Sequence, residues 1–154
     1  MRKRTILYVG IILLIFSLSS CYLWFVHKIE VVWEGDLGGS ILFEYSRAND
    51  FDIHYQVEDV DYFLAGIAAI DCNEDLVIME VSPDEKHLVL LVENSTRAQY
   101  PHGTRLWIFD LSVLPDGAEF EPLLDIIDTE VLDATIDNEK VDYQIPGESR
   151  EYRF

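Results

Sequence analysis

The sequence predicts an all-β fold, an antiparallel meander forming a small sandwich or a stack of sheets behind an N-terminal signal or anchor segment. Three observations predict it. Short apolar runs rich in β-branched and aromatic residues recur along residues 29–154, separated by turn chemistry. Two of them, Leu88-Val89-Leu90-Leu91-Val92 and Leu106-Trp107-Ile108-Phe109, are apolar without alternation, which marks central strands covered on both faces. The N-terminus reads Arg2-Lys3-Arg4 and then carries no charge from Thr5 to Val26, a targeting or anchoring composition that stands apart from the fold.

In chain order, strands are expected at 29–33, 40–46 and 52–57, where hydrophobic and polar residues alternate or cluster at strand length. Residues 59–70 (DVDYFLAGIAAI) are open between a short helix capped by Asp59 or Asp61 and a strand, because Gly66 weakens the helix. Strands follow at 76–81 and 87–93, joined by Ser82-Pro83-Asp84-Glu85, whose proline presets a turn. A strand at 105–112 is joined to one at 119–127 through Pro115-Asp116-Gly117, read as a hairpin. Pro122 would stand in a first helical turn, with Leu124, Ile127, Val131 and Ala134 at helical spacing, but Asp128-Thr129-Glu130 interrupts them like a turn, so 121–134 is read as a strand pair. The last strands are expected at 132–136 and 141–145.

The N-terminus satisfies each requirement of a secretory signal: a basic start, an apolar stretch from Ile6 to Phe16, and small residues from Ser17 to Ser20. Leu18-Ser19-Ser20-Cys21 resembles the lipobox of bacterial lipoproteins. That resemblance implies cleavage after residue 20, a covalent lipid on Cys21 with no other cofactor, and a protein held at the periplasmic face of an outer membrane. The apolar continuation Tyr22-Leu23-Trp24-Phe25-Val26 keeps a second reading open, an uncleaved span at 5–26 oriented by its basic N-terminus in the inner membrane. An ordinary cleaved signal is the third. All three divide the chain into 1–20 (or 5–26), a short membrane-proximal linker at 21–28, and an acidic domain at 29–154 outside the cytoplasm. Cys21 and Cys72 are the only cysteines. With Cys21 lipidated, Cys72 has no intrachain partner and reads as a small buried hydrophobe.

A second resemblance lies in "VSPDEKHLVLLVEN" followed by "GTRLWIFDLSV", similar to one repeat of the β-propellers of Tol-type periplasmic proteins, in which a Ser-Pro-Asp-Gly-Lys turn joins two strands. Here Glu85 stands where glycine is usual. "LLDIIDTEVLDATIDNEKVDYQI" echoes the next repeat, with Asp137-Asn138-Glu139-Lys140 as its turn. The resemblance, over residues 81–145, implies propeller-like stacked sheets. Closing a ring takes four or more blades of about 40 residues, and the domain holds three at most.

Beyond Cys21, eight basic residues face 29 acidic ones, a net charge of about −21. Such a field repels nucleic acid, and it either steers a cationic partner towards the surface or serves only to keep the domain soluble and monomeric. No catalytic signature occurs. There is no Gly-x-Ser-x-Gly, the four histidines lack zinc-ligand spacing, Gly35–Gly39 lacks the phosphate-loop lysine, and no acidic run fits a calcium loop. The longest polar connection, residues 94–104 (NSTRAQYPHGT), carries Arg97, Tyr100 and His102, with Arg105 just beyond, and is the candidate partner-binding loop. The expectation is a non-enzymatic, membrane-anchored envelope protein that binds a protein partner, in its sharper form an inhibitor or immunity protein against a cationic toxin or hydrolase. A structural or assembly component of an envelope complex is the alternative.

Overall fold

The computed structural model describes residues 28–46 and 49–154. The expected signal or anchor segment and Cys21 lie outside them. Within the described residues no helix is long and apolar enough to cross a membrane.

Three antiparallel meanders follow one another. The first sheet is β1 (Lys28–Glu34), β2 (Gly39–Tyr45), β3 (Phe51–Val57) and β4 (Val60–Ile67) in spatial order 1-2-3-4. One helical turn, α1 (Ala69–Cys72), leads into the second sheet, β5 (Glu74–Val81), β6 (His87–Asn94), β7 (Thr104–Asp110) and β8 (Leu124–Ile126), again in sequential order. The third holds β9 (Asp133–Ile136), β10 (Lys140–Ile145) and β11 (Glu148–Arg153). None closes into a barrel.

The second sheet lies in the middle, which explains its continuous apolar strands. Leu88, Leu90 and Val92 of β6, with Trp107 and Phe109 of β7, meet Ile41, Ile53, Tyr55 and Leu64 of the first sheet. Val89, Leu91, Leu106 and Ile108, one residue out of phase, meet Val131, Ala134, Val141, Tyr143 and Ile145 on the other side. Leu88 to Val92 are at most 2% exposed, and each such side chain stabilises the fold by about 1.5–3 kcal/mol relative to exposure. The third sheet ends the stack. Its far face carries Lys140 bonded to Asp142 (2.7 Å) and near Glu151 (3.6 Å), with Arg153 on Glu151 (2.9 Å), a ladder suited to water.

At one end of the stack the first hairpin turn of each sheet is tied to the next. Asp36 and Leu37, in the β1–β2 turn, donate backbone N–H groups to the Glu85 carboxylate in the β5–β6 turn, at 2.8 and 2.9 Å. Asp84 donates its N–H to Asn138 Oδ1 in the β9–β10 turn, at 2.8 Å. Glu85 has φ = 61°, a left-handed conformation that favours glycine. The carboxylate that binds the neighbouring sheet is thus held on a strained backbone. The approach is close: a Cβ at Gly35 would collide with the Trp33 ring and with Glu85.

Most expected strands are present, and the ambiguous 59–70 resolves into β4 followed by α1. Three expectations are corrected. Pro115-Asp116-Gly117 is not a tight hairpin but part of the connection 111–123, longer than the loop between β6 and β7. The strand expected at 119–127 shrinks to β8, because Phe120 turns into the core against Tyr55 and Tyr62 and the chain at Ala118 and Phe120 bonds the β4 edge at Phe63 instead. Cys72 is a free, half-buried thiol at the end of α1, not a core residue. The structure also adds β11, which the sequence reading left out.

Glu85→Ala removes both long-range hydrogen bonds and keeps the strain, and is expected to destabilise by about 1–2 kcal/mol. Glu85→Gly removes the same bonds but relieves the strain, so it should be more stable than Glu85→Ala by about 1 kcal/mol. Urea denaturation midpoints of the two variants beside wild type read the difference directly, and equal midpoints would show that the φ strain is not real.

Candidate functional site

The loop between β6 and β7 is built around Asn94, which is 1% exposed. Its amide donates to the Cys72 carbonyl (2.8 Å), and its Oδ1 accepts from the Thr96 hydroxyl (2.8 Å) and N–H (3.1 Å). An asparagine placed so fixes where the loop leaves the sheet.

The four expected site residues part company from there. Tyr100 turns inward, is 1% exposed, and donates its hydroxyl to Glu74 Oε1 (2.9 Å). The other oxygen of Glu74, a carboxylate equally buried, accepts the Ala68 N–H (2.8 Å). Burial first, and then the bond to Glu74, push the Tyr100 phenol far above the ordinary tyrosine range. Arg105 opens β7 and forks onto Asp125 of β8, Nε to Oδ1 at 2.9 Å and Nη2 to Oδ2 at 2.7 Å. Its guanidinium lies over the Trp107 ring at 4.4 Å and nearer the edge of reach from Tyr100 at 5.8 Å. The hydrogen bond to Asp125 raises the Arg105 pKa further, so this cation is permanent. Arg97 points away and approaches Glu130 at 3.8 Å, and His102 is exposed in the loop.

Tyr100 and Arg105 therefore line a common cleft of about 330 Å³ between β4 of the first sheet and β7 of the second, with Phe63, Gln99, Trp107 and Asp125. Arg97 and His102 do not line it. Glu74 and Asp125, on which the two lining residues depend, carry no sequence signal that sets them apart, being two acids among 29. The arrangement offers aromatic surface and a guanidinium already satisfied by a carboxylate. Among the described residues, no group of three or more His, Cys, Asp and Glu side chains is placed to hold a metal ion.

The electrostatics of the surface are simple. All seven lysines and arginines among the described residues lie within ion-pair distance of a carboxylate: Lys28 with Glu30, Lys86 with Asp84, Arg97 with Glu130, Arg105 with Asp125, Lys140 with Asp142 and Glu151, Arg150 with Glu148, and Arg153 with Glu151. Each exposed pair stabilises by only about 0–1 kcal/mol. Their collective effect is that the described surface presents cations only as members of pairs, while carboxylates remain in large excess.

No family model matches the chain, and neither a curated protein nor a solved structure matches it.

Tyr100→Phe leaves Glu74 Oε1 buried without its donor, and is expected to destabilise by about 1–3 kcal/mol while the cleft keeps its shape. Chemical denaturation measures this, and a loss below about 0.5 kcal/mol would mean that water reaches Glu74.

Proposed function

We propose that this chain is a non-enzymatic, membrane-anchored extracytoplasmic protein that binds a cationic protein partner, in the sharper form as an inhibitor or immunity protein against a cationic toxin or wall hydrolase. The observation that carries the reading is the pairing of every described lysine and arginine with a carboxylate of the chain itself. With 29 acidic residues beyond the N-terminal segment, the field is negative, and an anionic partner finds no uncompensated cation among the described residues. A cationic partner is drawn in from a distance and selected at contact. The lipobox-like Leu18-Ser19-Ser20-Cys21 supports anchoring through a lipid on Cys21, which would hold the domain against the membrane.

An assembly role would draw instead on exposed apolar side chains, of which Val113 (66% exposed), Leu114 and Leu123 share the connection 111–123. Salt separates the two. For the cationic partner, capture from an envelope extract should recover a basic protein, and its association rate should fall at least roughly tenfold between about 0.05 and 0.5 M salt. Recovery of no basic protein, or a rate indifferent to salt, would overturn the reading in favour of an apolar contact.

The anchor has its own measurement. Cells fed a labelled fatty acid should incorporate label into the wild-type chain and none into Cys21→Ser; an unlabelled wild type removes the lipid from the account.

A further inference from the structure

A second cavity, of about 450 Å³, opens between the first and second sheets where β2 ends and β5 begins. Its wall on the first sheet is aromatic. Phe43 and Phe51 stack with centroids 4.5 Å apart, and Tyr45 leans on Phe51 at 5.4 Å, all three half-buried. Opposite them stand Leu76, Asp75 and the buried Glu74. Glu74 is committed to Tyr100 and Ala68, so the free carboxylate on this wall is the exposed Asp75. Three half-exposed rings across an open cavity from it are a costly surface to leave in water, and a good one for an organic cation. Ring faces attract the charge while the stem of a long side chain covers apolar surface. The chain already carries one such contact on this wall: the Lys28 ammonium sits 5.1 Å above the Tyr45 ring and is bonded to Glu30 at 2.6 Å.

We infer that this cavity receives a single arginine or lysine side chain of the protein partner, its cation against Tyr45 and Phe51 and its charge met by Asp75. The inference rests on the cationic partner argued above and gives that partner a point of entry. Phe43 and Phe51 pack against the main core and remain half-exposed where the cavity opens.

The test uses the full chain in neutral-detergent micelles, titrated with N-acetyl-arginine methylamide and, in parallel, with the uncharged citrulline compound. The ring resonances of Phe43, Tyr45 and Phe51 should shift saturably with the arginine compound and far less with citrulline. Tyr45→Leu and Asp75→Asn should each weaken binding about fivefold. Asp133→Asn, which removes an exposed acid from the far face of the third sheet, should leave it unchanged. Asp75 is exposed, so its substitution does not threaten folding. Equal shifts with both compounds, no shifts, or equal weakening by Asp75→Asn and Asp133→Asn overturns the inference. If a basic envelope protein is captured but binds Tyr45→Leu and Asp75→Asn as tightly as wild type, the cavity assignment falls and the acidic-field reading stands. If the rings bind arginine but no basic protein is captured, the reverse holds.

Discussion

The structure depends on burying one sheet on both faces. β6 and β7 bring apolar side chains in successive positions, so whichever face packs first leaves the other exposed. A single partner sheet cannot satisfy them. The first and third sheets are therefore obligatory neighbours, each contributing the apolar half of an alternating pattern and each needing a second face that tolerates water. The third sheet meets this need with its lysine, arginine and carboxylate ladder. The first does so with a mixed face, on which Leu42 and Phe63 lie beside His54 and Glu44, the last two 3.6 Å apart.

Packing fixes which faces meet but not how far one sheet slides over the next, because apolar contact has little direction. Polar contacts fix that. The Glu85 carboxylate and the Asn138 amide lock the three first turns in line at one end. Elsewhere between the sheets, Glu74 gathers the Ala68 N–H and the Tyr100 hydroxyl. A buried carboxylate is unfavourable alone, since burial disfavours its charge, and becomes acceptable only when donors surround it. That requirement places Tyr100 in the wall and so determines where the loop from β6 to β7 can lie.

Much of this was legible in the sequence, and what was not has physical reasons. Leu88 to Val92 announced a strand covered twice, and Ser82-Pro83-Asp84 a turn, because burial pattern and proline geometry are local facts. β11 was hidden since Glu148-Ser149-Arg150-Glu151-Tyr152-Arg153 has no apolar alternation; it is an outer strand whose order comes from pairing with β10 and whose charges discourage further pairing. The shortening of 119–127 was hidden too, because Phe120 leaves its own sheet for a site on another, and no neighbour in sequence reports that. Among the site residues, the sequence pointed to the right loop but not to the direction of its side chains. Tyr100 and Arg105 converge because of Glu74 and Asp125, whereas Arg97 and His102 have nothing inside to reach.

On the proposed reading, the charge distribution and the cavities answer different needs of recognition. A net negative field acts over roughly the screening length, about 8–10 Å at physiological salt, and accelerates encounter with any cationic protein. It cannot tell one such protein from another. Discrimination has to be made at contact, where water is excluded and the shape of a pocket decides whether an ammonium or guanidinium group keeps its hydration or exchanges it for ring faces and a carboxylate. Cations that, among the described residues, are all paired add a second filter, because a partner's carboxylates meet repulsion that no described lysine relieves. Together, if the proposed cavity is the entry point, these features favour a partner that presents an isolated, protruding basic side chain in a cationic surround over one that is merely basic on average.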